Sequence, residues 1–191
     1  EADGNAERNP WQRYGLFVPS NYDPDTASPL TFWLHYRGGR VHGGAAWTPR
    51  LTAQLGEEQG NLMVFPHGRG TSHRYVTQSH QDVWEVFADV AGTDISGADN
   101  IASDHGFNTD GLMTVDASRV YLSGYSMGGY GTYLFGLLYP DKFAAGYSTA
   151  GATTQGLWTG LGPELSVCSE PQGEADGDQA TACFVEANGG N

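Results

Sequence analysis

A serine between two glycines constrains the fold of this 191-residue chain more than any other feature. Residues Gly124-Tyr125-Ser126-Met127-Gly128 form a G-x-S-x-G pentapeptide. A short β-rich run at 120–122 precedes it, and an apolar segment of helix length follows at 127–139. A strand, a tight turn and a helix in this order predict that the serine stands exposed at the turn, with small residues needed two positions to either side. The next N–H would point into the same site as a hydrogen-bond donor.

The rest of the chain alternates between strand-like and helix-like patterns. Strands are predicted at 14–19, 30–35, 61–66, 120–122 and 143–148, and helices at 49–60, 81–90 and 127–139. This alternation predicts an α/β fold, a doubly wound and mainly parallel sheet with helices on both faces. Around the last helix, four large side chains are expected to fill the surrounding space: Tyr133, Leu134, Leu137 and Leu138.

The length suits one domain. Within it, the sequence predicts a polar N-terminal strap at residues 1–12, an inserted loop at residues 92–113, and an acidic loop segment with both cysteines at residues 152–191. The chain begins at Glu1, without an initiator methionine or a signal-like segment, which indicates a processed or excised chain.

Charge and cysteine usage narrow the class of protein. A net charge of −13 argues against a nucleic-acid partner, and no apolar run approaches the ~18 residues of a membrane span. Cys168 and Cys183 are predicted to form a disulfide, worth roughly 3 kcal/mol for a loop of this size, which favours a secreted or periplasmic protein. The alternative is two free thiols in a cytosolic protein. Without a nearby histidine the pair makes a poor zinc site, and we predict no metal.

Several motifs together resemble the α/β-hydrolase superfamily, and within it the secreted esterase and prolyl-oligopeptidase-like group, which includes polyhydroxybutyrate depolymerases and feruloyl esterases. The resemblance covers roughly residues 12–151. It rests on the stretches at 14–20, 29–35, 64–66, 68–70 and above all 116–151.

The resemblance implies a serine hydrolase that cleaves an ester, or a peptide bond, through an acyl-enzyme at Ser126. Met127 would supply one backbone N–H to the oxyanion, and Tyr36 a second at a position where relatives often carry glycine. No organic cofactor is implied. The substrate would be a small-molecule or polymeric ester, or a peptide.

In this family the acid and the histidine follow the serine in the chain. Here all six histidines precede it: His35, His42, His67, His73, His80 and His105. We therefore expect an incomplete domain that lacks its C-terminal strands and is inactive alone, with base and acid supplied by a downstream segment or a partner chain.

Four further residues are candidates for binding substrate: Tyr125, Arg37, Arg69 and His67. Core packing of the aromatic ring, and ion pairs between the arginines and the many acids, are the alternatives. At the level of the whole chain, the alternative is a non-catalytic binding or structural module that retains the scaffold.

Overall fold

The computed structural model describes residues 12–70, 74–93, 106 and 109–153. Contacts divide the chain into two units, Glu1–Gly151 and Ala152–Asn191, and every element below lies in the first. The disulfide predicted between Cys168 and Cys183 lies outside the described residues and stays a prediction. Most of the segment predicted at 152–191 and the middle of the loop predicted at 92–113 also lie outside the described residues.

A five-stranded sheet forms the centre of the first unit. In chain order its strands are β1 (Tyr14–Phe17), β2 (Ser28–Leu34), β3 (Leu62–Pro66), β4 (Val115–Tyr125) and β5 (Ala145–Thr149). Across the sheet the order is β1-β3-β2-β4-β5. The first strand pairs antiparallel with the third, and all other pairs are parallel. The predicted α/β fold with a mainly parallel sheet is confirmed.

Helices cover both faces of the sheet. Between β2 and β3 the chain forms α1 (Gly43–Trp47), α2 (Pro49–Leu51) and a π-helical segment (Thr52–Glu58). The helix α3 (Gln78–Ala91) lies between β3 and β4, and α4 (Met127–Leu138) lies between β4 and β5.

Because side chains alternate along a strand, neighbouring residues face opposite helices. Trp33, Met63 and Phe65 form a cluster with Leu51 and Leu55 on one face. On the other face the ring of Phe32 stacks on Phe87 of α3 at 6.0 Å between centroids.

The strand positions predicted from sequence agree with the structure to within a few residues, except that β4 extends well beyond 120–122. At the end of the glycine-rich segment 37–44, the helix α1 begins at Gly43. A Cβ at Gly44 would overlap the rings of Phe65 and Trp33, so glycine allows this short helix to lie against the sheet.

The prediction that four large side chains of α4 fill the space around the helix is wrong for three of them. Leu137 is 77% exposed, Leu138 is 56% exposed and Tyr133 is 38% exposed. Tyr147 on the neighbouring strand β5 is 70% exposed, and β5 pairs with β4 alone among the described strands. An apolar surface therefore borders the open edge of the sheet.

Candidate active site

Ser126 lies at a strained turn between β4 and α4. Its φ of 55° and ψ of −110° fall in a region that non-glycine residues rarely adopt. The backbone is held on both sides, because the Ser126 N–H donates to the carbonyl of Thr149 on β5 and the Tyr130 N–H donates to the Ser126 carbonyl, each at 2.9 Å. Strain of this kind costs about 1–3 kcal/mol and persists only where the surroundings enforce it.

The two glycines of the pentapeptide are required by close backbone contacts. A Cβ at Gly124 would overlap the backbone of Gly128, and a Cβ at Gly128 would overlap the carbonyl oxygen of Leu34 at the end of β2. Both atoms belong to the backbone of neighbouring elements and cannot move aside as a side chain could. The strand–turn–helix context and the need for small residues, both predicted from sequence, are confirmed.

Met127 begins α4, and its side chain is buried. The first N–H groups of a helix have no intrahelical acceptor, and the helix dipole is positive at this end. An N–H in this position, directly after the half-buried Ser126, is suited to stabilise negative charge on an oxygen held at that serine.

Tyr36 follows β2, in the loop predicted to give a second oxyanion donor. The Gly39 N–H donates to the Tyr36 carbonyl at 2.8 Å, and Gly38 has a φ of 84°, which is typical of the third position of a type II turn. The Tyr36 ring lies edge-on to Tyr125 at 6.2 Å and packs on the cluster at Trp33. The bulky ring is thus accommodated by the core, and Tyr125 is its packing partner.

His35 ties together the loops on this side of the sheet. It is 1% exposed, and its Nδ1 lies 2.7 Å from the Tyr36 carbonyl while its Nε2 lies 2.9 Å from the His67 carbonyl. Its own carbonyl accepts a hydrogen bond from the hydroxyl of Tyr75 at 3.3 Å. Sequence reasoning missed this role, since one histidine after a strand carries no signal of its partners.

The loop after β3 is anchored by a buried carboxylate. Asp82 of α3 is fully buried and accepts a hydrogen bond from the Gly68 N–H at 2.7 Å. Burial raises the pKa of Asp82 to about 6, and the Gly68 N–H and the charge of Arg69 partly oppose that rise. Arg69 forms an ion pair with Glu85 and lies 3.9 Å from Asp82. These contacts match the alternative stated from the sequence, in which the arginine pairs with acidic residues instead of binding substrate.

Two of the six histidines are placed where they serve the structure. His35 contacts backbone carbonyls through both ring nitrogens. His80 stacks on Phe135 at 4.4 Å and contacts the Tyr139 hydroxyl at 2.7 Å. Phe135 and Tyr139 follow Ser126 by nine and thirteen residues, which corresponds to about 13–20 Å along a helix axis. His67 follows β3 on the same side as the serine, and His73 and His105 lie outside the described residues.

Among the described residues, no helix is long and apolar enough to cross a membrane. No protein-family profile matches the chain. A probable feruloyl esterase C from Aspergillus oryzae is 24% identical over 186 residues, which are 94% of this chain and 62% of that relative. The chain thus spans less than two thirds of the relative's length.

The solved structures that resemble this chain are also hydrolases and esterases, and the chain again covers only part of their length. The fluorophosphonate-binding serine hydrolase FphF from Staphylococcus aureus matches with a TM-score of 0.54 and 16% identity, over 93% of this chain and 68% of that protein. The feruloyl esterase module from Clostridium thermocellum matches with a TM-score of 0.52 and 14% identity, over 93% and 57%. The chain has the α/β-hydrolase fold over part of the length of these neighbours, and its sequence is similar to that of a probable feruloyl esterase.

Proposed function

We propose that this chain is the nucleophile-bearing part of a serine hydrolase that cleaves esters. The observation that carries the proposal is the backbone of Ser126, held at a φ of 55° between a strand and a helix by glycines at positions where any Cβ would overlap the backbone. A scaffold has no evident need for this strain, whereas a nucleophile gains exposure from it.

In the proposed reaction the Ser126 oxygen attacks the ester carbonyl, and its proton passes to a general base. The carbonyl oxygen becomes an oxyanion, which the Met127 N–H stabilises together with a donor from the loop at Tyr36. The alcohol then leaves with a proton, and water cleaves the acyl-enzyme to regenerate the serine. One such oxyanion donor is worth about 3 kcal/mol in the transition state.

The general base and its acid are proposed to come from polypeptide beyond these 191 residues, either a downstream segment or a second chain. No histidine follows Ser126 in the sequence, and His35 and His80 are engaged elsewhere. The curated relative is longer than this chain, which spans 62% of it. Among the described strands β5 has no partner on its outer side, so a further strand could pair there.

The substrate class follows from the relatives alone and is part of the proposal. The curated relative is named a feruloyl esterase, so an ester, small or polymeric, is favoured over a peptide. A secreted or periplasmic location is proposed as well, on the basis of the disulfide predicted between Cys168 and Cys183.

Labelling with a fluorophosphonate tests the proposal. Natively purified protein is treated with the probe, and peptide mapping locates the modified residue, with Ser126→Ala as the control. We expect phosphonylation at Ser126 when the base is present, and intact mass then tells whether the base lies on a longer chain or on a separate one.

A second candidate is a non-catalytic binding module with this scaffold. The absence of any histidine after Ser126 favours it. An unlabelled and monodisperse species of 20.4 kDa would contradict the hydrolase and support the module.

A further inference from the structure

Acidic residues are distributed unevenly along this chain, and the segments around Ser126 lack them. Of the 22 aspartates and glutamates, none lies at 26–56, 59–81 or 117–140. The first two of these segments contain five of the eight arginines and five of the six histidines. A chain with a net charge of −13 thus concentrates positive charge in two stretches.

The topology brings these stretches to one edge of the sheet. The strands β2, β3 and β4 are parallel neighbours, so their carboxyl ends lie on the same side. Arg37 follows β2, Arg74 follows β3, and Ser126 follows β4. Open parallel sheets bind ligands just beyond this edge. The positive charge therefore lies on the same side as the serine.

Tyr75, the residue after Arg74, packs between two parts of the site. The Tyr75 side chain is buried, its ring lies 5.6 Å from that of His35, and its hydroxyl donates to the His35 carbonyl. On the other side it contacts α4 so closely that a Cβ at Gly131 would lie 2.7 Å from the ring. The backbone next to Arg74 is therefore held between the end of β2, which leads into the loop with Arg37, and the first turns of the helix that Ser126 precedes.

Arg37 and Arg74 follow neighbouring strands of the sheet, at the same edge. Arg37 is exposed and Arg74 half-buried. Burial most of all, and then the positive charge of Arg37, lower the pKa of Arg74, while Tyr130 of α4 acts in the opposite direction. Both guanidinium groups carry a positive charge, so both attract an anion that binds near them.

We propose that Arg37 and Arg74 form an anion subsite beside Ser126 that binds a carboxylate group of the substrate. This inference rests on the proposed function and narrows it, because the substrate becomes an ester whose acyl or alcohol part carries a carboxylate. A guanidinium group binds a carboxylate through two parallel hydrogen bonds, which orients the ester as well as attracting it. Arg69 takes no part, since it pairs with Glu85.

Binding to the full chain carrying Ser126→Ala tests the subsite without requiring turnover. The probes are the monomethyl esters of succinate, glutarate and adipate, each compared with its neutral dimethyl ester by calorimetric titration at about 50 mM salt. We expect at least one monomethyl ester to bind about tenfold more tightly than its dimethyl partner, as a charge-assisted hydrogen bond provides. In the double variant Arg37→Gln/Arg74→Gln, the ratio of the two affinities should fall close to one. Arg50 is an exposed arginine on α2, and in the control variant Arg50→Gln the ratio should not change.

Equal affinity for both kinds of ester, no binding of either, or an unchanged ratio in the double variant would overturn the subsite. If the double variant does not fold, as judged by circular dichroism, Arg37→Gln alone replaces it, because Arg37 is exposed. Fluorophosphonate labelling of the unsubstituted protein is scored separately. If Ser126 is labelled but the protein does not prefer the monomethyl esters, the subsite is rejected and the hydrolase proposal stands. If the protein prefers the monomethyl esters but Ser126 is not labelled, only the hydrolase proposal is rejected.

Discussion

At the scale of single residues, glycines decide how closely the helix after Ser126 approaches the sheet. Gly128 and Gly136 both lie on α4, but only the first meets backbone, at the Leu34 carbonyl. Nothing lies within 4 Å of a Cβ built at Gly136. The same substitution should therefore have opposite effects at the two positions.

We predict that Gly128→Ala lowers the free energy of unfolding by about 3 kcal/mol, because the strand end and the turn cannot both keep their places. Gly136→Ala should raise it by about 0.5 kcal/mol, since alanine is the better helix former. Urea unfolding of both variants measures the two values. Similar changes at both positions would mean that the contact with Leu34 does not control the turn.

Asp82 gives a residue-scale prediction about pH. Its pKa is raised from 3.8 to about 6 by burial, so between these values the folded state binds more protons than the unfolded state. The contribution of Asp82 to stability is thus largest below pH 4 and declines as the pH rises to about 6, by roughly 3 kcal/mol in all. Above pH 6 it is constant.

Asp82→Asn keeps an oxygen for the Gly68 N–H and removes the titration. The difference in unfolding free energy between Asp82→Asn and the parent should therefore grow in favour of the variant from pH 4 to pH 6. Urea unfolding at half-unit steps of pH measures it. A difference that does not change with pH would show that Asp82 does not titrate in this range.

At the scale of elements, β5 and α4 form the surface where the sheet ends. The strand Ala145–Thr149 contains neither a charged residue nor a proline, the features that usually keep sheet edges from pairing. Tyr147 projects from it, and the exposed leucines of α4 lie nearby. Such an edge either receives a further strand or associates with another copy.

We predict that the chain alone self-associates through this edge and that Tyr147→Glu reduces the association several-fold. Leu112→Glu is the matched control, because Leu112 is 60% exposed and lies before β4, away from β5. Sedimentation velocity over a range of concentrations measures both. A parent chain that is monomeric throughout, or an equal effect of the two substitutions, would contradict the prediction.

These elements also show what the sequence could and could not predict. Strand positions, the parallel sheet and the turn at Ser126 follow from local patterns, namely apolar runs and glycines at fixed spacing. The exposure of Leu137 could not be predicted, because a helical apolar pattern does not tell whether a neighbouring element is present to cover it. The links from His35 to His67 and from Asp82 to Gly68 join residues 32 and 14 positions apart, which no local pattern encodes.

At the scale of the whole molecule, charge is the dominant feature. The 22 acidic residues outnumber the nine lysines and arginines by more than two to one, which gives the net charge of −13. Repulsion among these acids opposes the compact state. Salt weakens it, since the screening length is about 10 Å at 0.1 M and about 3 Å at 1 M.

We therefore predict that NaCl stabilises the protein at pH 7, with a rise in Tm of about 3 °C or more between 10 mM and 0.3 M that levels off above that concentration. Levelling off is the signature of screening, whereas effects of salt on apolar surface continue to grow with concentration. The control is the same series near pH 5, where the charge approaches zero because the sequence pI is about 4.5, and there the rise should largely vanish. An equal rise at both pH values, or no rise at pH 7, would mean that the acids are already paired or too far apart to repel, and that the net charge does not limit the stability of this fold.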